Sequence, residues 1–438
     1  MLAAYGAPAV ALAIMLLPTY VFIPAFYTQI FGLPLDLVGY IIIGSRVFDA
    51  ATDPLIGHWS DRTTGRFGRR KPWILAGTPL AIGAVVVLFV PAPTPTLAQF
   101  AVGLFALTLA WTIMTLPYNA WGAELSGDYH ERTKIAGVRE GVGLFGTLLA
   151  ASTPTIMGLM GYADPRLHMM ALAALIVVLL VPTIAWATLA VPELQPLSRT
   201  RVTWRLGLKA IAENKPFRRL ITAYLLNAFA NGLPATLFLI FVAHVVGAPD
   251  AYGPLLLAYF LAGLLAIPFW LSLARRLGKH RTWVIAMVLA CAAFAFTPFV
   301  VGEGDVIAFL IISVVSGIGV GADLVLPAAI QADVVDADTQ VSGEQRTGLF
   351  FALWAMATKL AFALSAVALP ILHLWGFKAD GLDADGRSTN GPVELFVLTM
   401  LYAGLPIAIK LVAMTLMWNF PLDAVRQRAI RSEIETNT

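Results

Sequence analysis

Apolar segments recur along this chain at the length that a bilayer-spanning helix requires. About 20 apolar residues cross about 30 Å of hydrocarbon, and the sequence offers twelve such segments. The predicted spans are 3–30, 36–58, 72–91, 96–124, 137–160, 168–191, 219–246, 253–274, 282–301, 305–332, 347–375 and 392–418. The N-terminus has neither a charged leader nor an obvious cleavage site, so segment 3–30 is expected to remain as the first span. This pattern predicts an all-α polytopic membrane protein with twelve transmembrane helices.

The second half of the chain repeats features of the first. RFGRRKPW at 66–73 and RLGKHRTW at 276–283 follow the second predicted span of each half, 210 residues apart. ERT at 131–133 and QRT at 345–347 open the fifth span of each half, 214 residues apart. The near-equal offsets indicate an internal duplication, which is a common plan among secondary transporters. The predicted organisation is a six-helix half at 1–191, a linker at 192–218, a second half at 219–418 and a tail at 419–438.

Composition and charge support a membrane location. Of the 438 residues, 59% are hydrophobic and only 13% are charged, with a mean hydropathy of +0.79; soluble domains carry about 25% charged residues. If both termini are cytoplasmic, the loops and tail on that side, together with Arg139 and Arg219 at the cytoplasmic ends of adjoining spans, hold 23 of the 29 Lys and Arg residues, and the opposite loops hold three. This asymmetry predicts that both termini face the cytoplasm of an inner (plasma) membrane. The net charge of +3 therefore reflects topology, and no nucleic-acid partner is expected.

Several kinds of chemistry are not expected from this sequence. The single cysteine, Cys291, excludes an intramolecular disulfide framework and a multi-cysteine metal site. No Walker A, HExxH or GxSxG pattern is present. We therefore expect neither an enzyme nor a bound cofactor.

The second span carries the most unusual charges. Arg46, Asp49 and Asp53 are spaced i, i+3 and i+7, which places them on one face of a helix. A charged residue in the middle of a membrane costs about 2.5–3.5 kcal/mol on insertion scales. Two carboxylates four residues apart also repel each other. We infer that this cluster has a function.

Other polar residues occur inside or beside predicted spans. Asp323 in span 10 is equally consistent with a role in the transport cavity and with a structural hydrogen bond. Asn227 and Asn231 in span 7 are candidates to line a cavity. In span 4 the candidates for the same cavity are Trp111, Thr115 and Asn119. Arg46 is a candidate to compensate the charge of the two acids from within span 2. Candidates for cytoplasmic gating charges are Asp61, Arg69, Arg70, Asp333 and Arg346.

Three stretches carry a family resemblance. They are RVFDAATDPLIG with the following DRTTGRFGRRKPWIL, TIMTLPYNAWGAELSGDYHERT at 112–133, and ADVVDADTQVSGEQRTGLFFALWAMATKL at 332–360. They resemble the glycoside–pentoside–hexuronide:cation symporters, the melibiose-carrier family of the major facilitator superfamily. The resemblance implies two six-helix halves that rock against each other and expose a central site alternately to each side. It implies symport of a small-molecule substrate with Na⁺, Li⁺ or H⁺, and a single chain suffices for this activity.

The resemblance also implies roles for particular residues. Asp49 and Asp53 match the acids that bind the cation, and Thr112 matches a threonine near that site. Lys359 matches a lysine associated with the cation site and is able to compensate the acids when the cation is absent. Arg139 matches an arginine of the sugar region. A sodium-coupled protein would bind Na⁺ as its metal at Asp49 and Asp53.

The sequence departs from the family where the substrate binds. Two acids that hold sugar hydroxyls are replaced here by Ala13 and Thr115, and a tryptophan is replaced by Asn119. A different glycoside, a hexuronide whose carboxylate meets Arg139, and an amphipathic solute all remain compatible. The related lysolipid transporters keep the two span-2 acids and lack the sugar acids, so lysolipid transport is the alternative prediction.

Overall fold

A computed structural model of the protein describes residues 1–436 except 66, 163, 194–212, 249–250, 343–345, 379–382 and 384–386. Its regular elements are helices. They are Leu2–Gly6 (α1), Pro8–Ala25 (α2), Leu35–Arg62 (α3), Lys71–Phe89 (α4), Leu97–Glu124 (α5), Tyr129–Leu159 (α6), Pro165–Ala190 (α7), Lys215–Phe241 (α8), Tyr252–Leu277 (α9), Lys279–Val300 (α10), Val306–Ser342 (α11), Thr347–Ser365 (α12), Ala368–Leu374 (α13), Pro392–Thr399 (α14), Leu405–Trp418 (α15) and Ala424–Thr436 (α16).

These helices confirm the predicted all-α polytopic fold. Among the described residues, 11 helical segments are long and apolar enough to cross a membrane by length and composition. The segment missing from that set is α3, a 28-residue helix with Arg46, Asp49 and Asp53 near its middle. At 1.5 Å per residue α3 is about 42 Å long, so it has the length of a span although its charges lower its hydropathy.

Two predicted boundaries lie some distance from the observed ones. Helix α11 continues to Ser342, ten residues beyond the predicted end of span 10 at 332. Helix α6 begins at Tyr129, eight residues before the predicted start at 137, because the Asp128 side chain accepts hydrogen bonds from the amides of residues 130 and 131. Such an N-cap satisfies amides that would otherwise lack partners at the start of the helix. In both places the charged residues that resemble a loop belong to helix.

Each half of the chain has a short π-helical turn at the end of its first span. The turns are Phe26–Ile30, which follows α2, and Val242–Val246, which follows α8. They lie 216 residues apart in the sequence, close to the offsets of the two repeated motifs. A third π turn, Met400–Gly404, joins α14 to α15. Because π turns are uncommon, the recurrence of the first two at a similar offset agrees with the internal duplication.

The chain divides into two compact units. The first comprises Met1–Leu208, Val335–Leu353 and Ile430–Thr438, and the second comprises Lys209–Val334 and Trp354–Ala429. The last turns of α11 and the first turns of α12 therefore belong with the N-terminal helices. The predicted linker lies mostly outside the described residues, and the division into halves at 191 and 219 stays a prediction.

Candidate functional site

Two buried carboxylates and one hydroxyl meet in the first unit. Asp49 and Asp53 are each 1% exposed, and both lie one helical turn apart on α3. Thr112 of α5 is fully buried, and its Oγ1 lies 2.7 Å from Asp49 Oδ1 and 3.1 Å from Asp53 Oδ1. A hydroxyl has one proton to donate, so it cannot fully satisfy two carboxylates. The arrangement brings together three hard oxygen atoms, two of them from carboxylates.

This cluster has the donor chemistry of a small-cation site. Carboxylate and hydroxyl oxygens suit hard cations, and a proton shared by the two acids relieves the same repulsion. Among the described residues, no group of three or more His, Cys, Asp or Glu side chains is arranged to hold a metal ion. Two carboxylates and one hydroxyl are donors that Na⁺, Li⁺ or a shared proton can use. The assignment of Asp49, Asp53 and Thr112 as cation ligands stays a prediction.

The two basic residues predicted to act with these acids lie in different units. Arg46 is half-buried on α3, one turn before Asp49, and Lys359 is half-buried on α12 in the second unit. Each of them takes part in polar interactions. The association of Lys359 with the acids stays a prediction.

Replacing Thr112 with valine tests whether its hydroxyl is part of this cluster. Valine keeps the shape of threonine and removes the hydroxyl oxygen that lies within hydrogen-bonding distance of both carboxylates. We expect the concentration of coupling cation needed for half-maximal effect to rise about fivefold, as for a loss of about 1 kcal/mol. Cation-dependent thermal shifts of the purified protein give this measurement. Thr112→Ser keeps the hydroxyl and should behave like the unaltered protein; equal cation responses in both variants would argue against the role of the hydroxyl.

The polar face of α5 continues beyond Thr112. Trp111, Thr115 and Asn119 are half-buried and follow each other at intervals of four residues, so they share one side of the helix. The Thr115 hydroxyl donates a hydrogen bond to the carbonyl of Trp111 at 2.8 Å. The hydroxyl oxygen can still accept a hydrogen bond from another group. These three residues form a polar strip of the kind predicted for a substrate cavity.

Arg139 has a partner that the sequence analysis did not identify. Its guanidinium makes hydrogen bonds of 2.5 and 3.0 Å with Glu140 Oε1. Arg139 is buried, whereas the Glu140 side chain retains 28% exposure. A carboxylate substrate that binds Arg139 would have to compete with this adjacent acid.

The second unit contains a separate buried charge network. The Lys410 ammonium of α15 lies 2.6 Å from Asn227 Oδ1 and 3.5 Å from Asp323 Oδ2. The Asp323 carboxylate also accepts hydrogen bonds from Asn231 at 2.9 Å and from Trp283 at 2.6 Å. The structure thus joins three predicted cavity residues to a lysine and a tryptophan. Lys410 lies within the apolar run LPIAIKLVAM. Because charged residues inside membrane spans usually have a function, this position could have identified Lys410 from the sequence.

Charged residues pack densely where α3 ends and α4 begins. Arg70 is fully buried and contacts Asp61 and Glu124 at 2.6 Å each, and Arg69 contacts Glu124 at 2.8 Å. Burial lowers the pKa of Arg70, but the charges of Glu124 and Asp61 outweigh it and raise that pKa above its ordinary value. Asp61 also accepts hydrogen bonds from the amides of Gly348 and residue 349 at the start of α12, at 2.8 and 3.0 Å. The predicted gating charges Asp61, Arg69 and Arg70 therefore belong to one network of ion pairs, which Glu124 completes.

The acids near the end of α11 each have a basic partner. Asp333 pairs with Lys279 at 2.6 Å within the second unit. In the first unit, Arg346 pairs with Asp338 at 2.6 Å, and Asp336 pairs with Arg132 at 2.7 Å and with Arg431 of α16 at 3.6 Å. The predicted gating residues Asp333 and Arg346 thus each form an ion pair. These pairs compensate the charges that α11 carries beyond its apolar part.

Glu193, just after α7, fills an anion-binding turn before α4. Its carboxylate accepts hydrogen bonds from the amides of Arg69, Arg70 and Lys71 at 2.5, 2.7 and 3.2 Å. Gly68 precedes them with φ +85°, and a Cβ at this position would overlap the carboxylate. Backbone amides at the start of a helix favour negative charge. The sequence analysis missed Glu193 because its partners are backbone groups 122 or more residues away.

Glu193→Gln tests the value of this contact. The amide retains the shape of the side chain but loses the charge that three amides stabilise. We expect a loss of about 1–2 kcal/mol of stability, since hydrogen bonds to charged groups are worth about 1.5–3 kcal/mol. Thermal unfolding gives the measurement. Glu303→Gln is the matched control because Glu303 forms a surface pair with Arg387 and is 63% exposed; equal effects in both variants would exclude a special role for Glu193.

Comparison with known proteins places the chain in a family. The family described as MFS/sugar transport protein matches residues 4–424. The chain belongs to this family of the major facilitator superfamily. Among its relatives is the sodium-dependent lysophosphatidylcholine symporter 1 of Gallus gallus, 27% identical over 440 residues that cover 90% of this chain and 81% of the relative. Another is the inner membrane symporter YicJ of Escherichia coli (strain K12), 26% identical over 389 residues that cover 86% and 81% of the two chains.

Solved structures agree with the major facilitator fold. The transporter FucP in its outward conformation superposes with a TM-score of 0.67 at 14% identity, covering 94% of this chain and 97% of that one. A bacterial homologue of the iron transporter ferroportin in an outward-facing state also gives 0.67, at 15% identity, with 98% and 100% covered. These structures confirm the expected fold, and the family match confirms the expected superfamily. The narrower melibiose-carrier resemblance stays a prediction.

Proposed function

We propose that this major facilitator protein is a cation-coupled symporter that moves its solute by alternating access. The observation that supports the proposal is the single Thr112 hydroxyl shared by Asp49 and Asp53. Binding of Na⁺, Li⁺ or H⁺ would lower the charge repulsion between the acids and stabilise a substrate-competent state. Coupling requires that the cation and the solute raise each other's affinity by the same factor.

The primary candidate substrate is a glycoside or a related polar solute. The family description names sugar transport, and the half-buried strip of Trp111, Thr115 and Asn119 supplies an indole, a hydroxyl and an amide. These groups suit a solute with several hydroxyls. Arg139 extends the proposal to a carboxylated sugar, provided that this solute displaces Glu140 from the guanidinium.

A lysolipid or another amphipathic solute is the second candidate. It is favoured by the similarity to sodium-dependent lysophosphatidylcholine symporters, including the human protein at 27% identity over 436 residues. Ala13 and Thr115, where the sugar-binding family has acids, remove negative charge that an amphipathic solute does not need. We propose the same cation site for either substrate, a single chain as the working unit, and an inner membrane location.

A thermal-shift screen tests the proposal and separates the two substrate classes. The purified protein is heated with glycosides, hexuronides or lysolipids in Na⁺, Li⁺ or choline chloride at matched ionic strength, at two pH values. We expect one solute class to stabilise the protein further when the coupling cation is present. A stabilisation that is the same in every salt and at both pH values would contradict cation coupling.

A further inference from the structure

A cavity opens at the end of the second unit where α8 and α13 finish. Its volume is about 430 Å³, within the range typical of small-ligand pockets. The lining includes Ile240 of α8, Leu369 and Leu372 of α13, and the turn Gly376–Lys378 after that helix. None of these residues belongs to the Asp49–Asp53–Thr112 cluster or to the Lys410 network.

The cavity combines an apolar wall with a basic rim. Leu372 and Phe377 are buried at 2% and 6% exposure, whereas Leu369 is 42% exposed and leads outward. His373 and Lys378 lie at the rim and are exposed. Within the part of the chain that the structure describes, the Lys378 ammonium makes no hydrogen bond or ion pair. The rim therefore offers a cation to an incoming anion.

The turn that carries Lys378 is held in place by its backbone. Asn390 accepts a hydrogen bond from the Lys378 amide at 2.7 Å and donates one to the Lys378 carbonyl at 2.9 Å. The His244 ring contacts Asn390 at 3.2 Å and packs edge-on against Phe377, with ring centres 4.9 Å apart. Asn390 fixes the backbone of Lys378, whereas the Lys378 ammonium has no partner among the described residues. The ammonium is therefore available to a ligand that comes from outside the protein.

The surroundings of the cavity are those of a membrane interface. Leu374 and Trp375, next to the rim, are 83% and 57% exposed. Exposed tryptophan beside basic residues is characteristic of the level of the lipid headgroups. Glu394 Oε1 lies 3.9 Å from the position of a Cβ on Gly376, so an acid also stands close to the rim. The site thus presents an apolar slot, a nearby carboxylate and an ammonium that is unpaired within the described residues.

We propose that this cavity binds a zwitterionic glycerophospholipid of the surrounding leaflet. The phosphate pairs with Lys378 and His373, the headgroup ammonium approaches Glu394, and the acyl chain lies along Ile240, Leu369 and Leu372. Free phosphate would leave the apolar wall uncovered, and an uncharged amphiphile would leave Lys378 unpaired. The bilayer itself supplies the ligand that satisfies both parts. The site is separate from the proposed cation site and does not depend on that function.

Native mass spectrometry of the purified protein tests the lipid site. The probe is 1-palmitoyl lysophosphatidylethanolamine, compared with monopalmitoylglycerol, which lacks the phosphate, and with inorganic phosphate. We expect preferential retention of the phospholipid. Lys378→Met should weaken retention about fivefold, the value of one basic residue near lipid headgroups. Leu369→Trp, which fills the slot, should also weaken it.

Two controls decide how the result is interpreted. Arg387→Met removes a charge from the same inter-helix connection, but Arg387 is 68% exposed and pairs with Glu303, so retention should be unchanged. Retention should also be the same whether the protein meets the lipid in NaCl or in choline chloride, which separates this lipid site from binding that is coupled to the proposed cation site. Equal loss in the Lys378 and Arg387 variants, equal binding of monopalmitoylglycerol, or binding of phosphate alone would overturn the proposal.

Discussion

Asp53→Asn is expected to abolish accumulation of solute against its concentration gradient. Asp53 is 1% exposed and shares the Thr112 hydroxyl with Asp49. Asparagine removes one negative charge and places a neutral amide beside Asp49, which relieves the repulsion that a cation would otherwise relieve. We expect the cation-induced thermal shift to disappear and uphill uptake in proteoliposomes to fall at least 100-fold, the equivalent of about 2.7 kcal/mol. Downhill exchange of the solute should persist because the coupling cation is not required for it.

The control for this substitution is Asp164→Asn. Asp164 is an exposed N-cap of α7 whose side chain accepts from the amide of Arg166. Asparagine caps helices about as well as aspartate, so stability and uptake should remain near their original values. Survival of uphill accumulation in Asp53→Asn would show that the cation site has been assigned to the wrong residues.

Lys410→Met is expected to cause the largest loss of stability. Lys410 is 1% exposed, and its removal takes from Asp323 the ammonium that lies 3.5 Å away and from Asn227 the donor at 2.6 Å. Breaking one side of a buried ion pair costs about 3–5 kcal/mol. Thermal unfolding in detergent should begin roughly 10 °C lower, taking about 2–4 °C per kcal/mol for a unit of this size.

A double substitution identifies the source of this loss. Lys410→Met combined with Asp323→Asn removes both charges and should recover a large part of the lost stability, because no buried charge then remains unpaired. Lys134→Met, at a half-buried position near the start of α6, is the control for deleting a lysine. A double variant that is less stable than Lys410→Met alone would show that Asp323 acts mainly through Asn231 and Trp283 and not through Lys410.

The fold could be predicted from the sequence because the bilayer imposes a length on each apolar segment. Segment 392–418 coincides with the span observed from Pro392 to Trp418, and 96–124 differs from α5 by one residue. The largest error concerns α11. Its acids Asp333, Asp336 and Asp338 resemble a loop when they are considered alone, yet each is paired and buried in the fold. Hydropathy cannot anticipate ion pairs between distant segments.

The candidate site was only partly accessible to sequence reasoning. The spacing of Asp49 and Asp53 on one helix is a local property, so the pair could be proposed directly from the residues. Thr112 was added through a family resemblance. Glu124, Glu193 and Lys410 were missed as partners, because each acts on a group that lies more than 50 residues away in the chain.

The sequence by itself determined that this protein is a polytopic helical membrane protein with a repeated plan and two acids in an apolar span. These properties follow from local composition, helical spacing and the thickness of a membrane. The tertiary structure alone decided which charges neutralise one another, that one hydroxyl lies between the two acids, and that the Lys378 ammonium, which has no partner among the described residues, lies at the rim of an apolar cavity. Such contacts depend on how separate helices pack, and helix packing brings together groups whose distance along the chain carries no information about their distance in space.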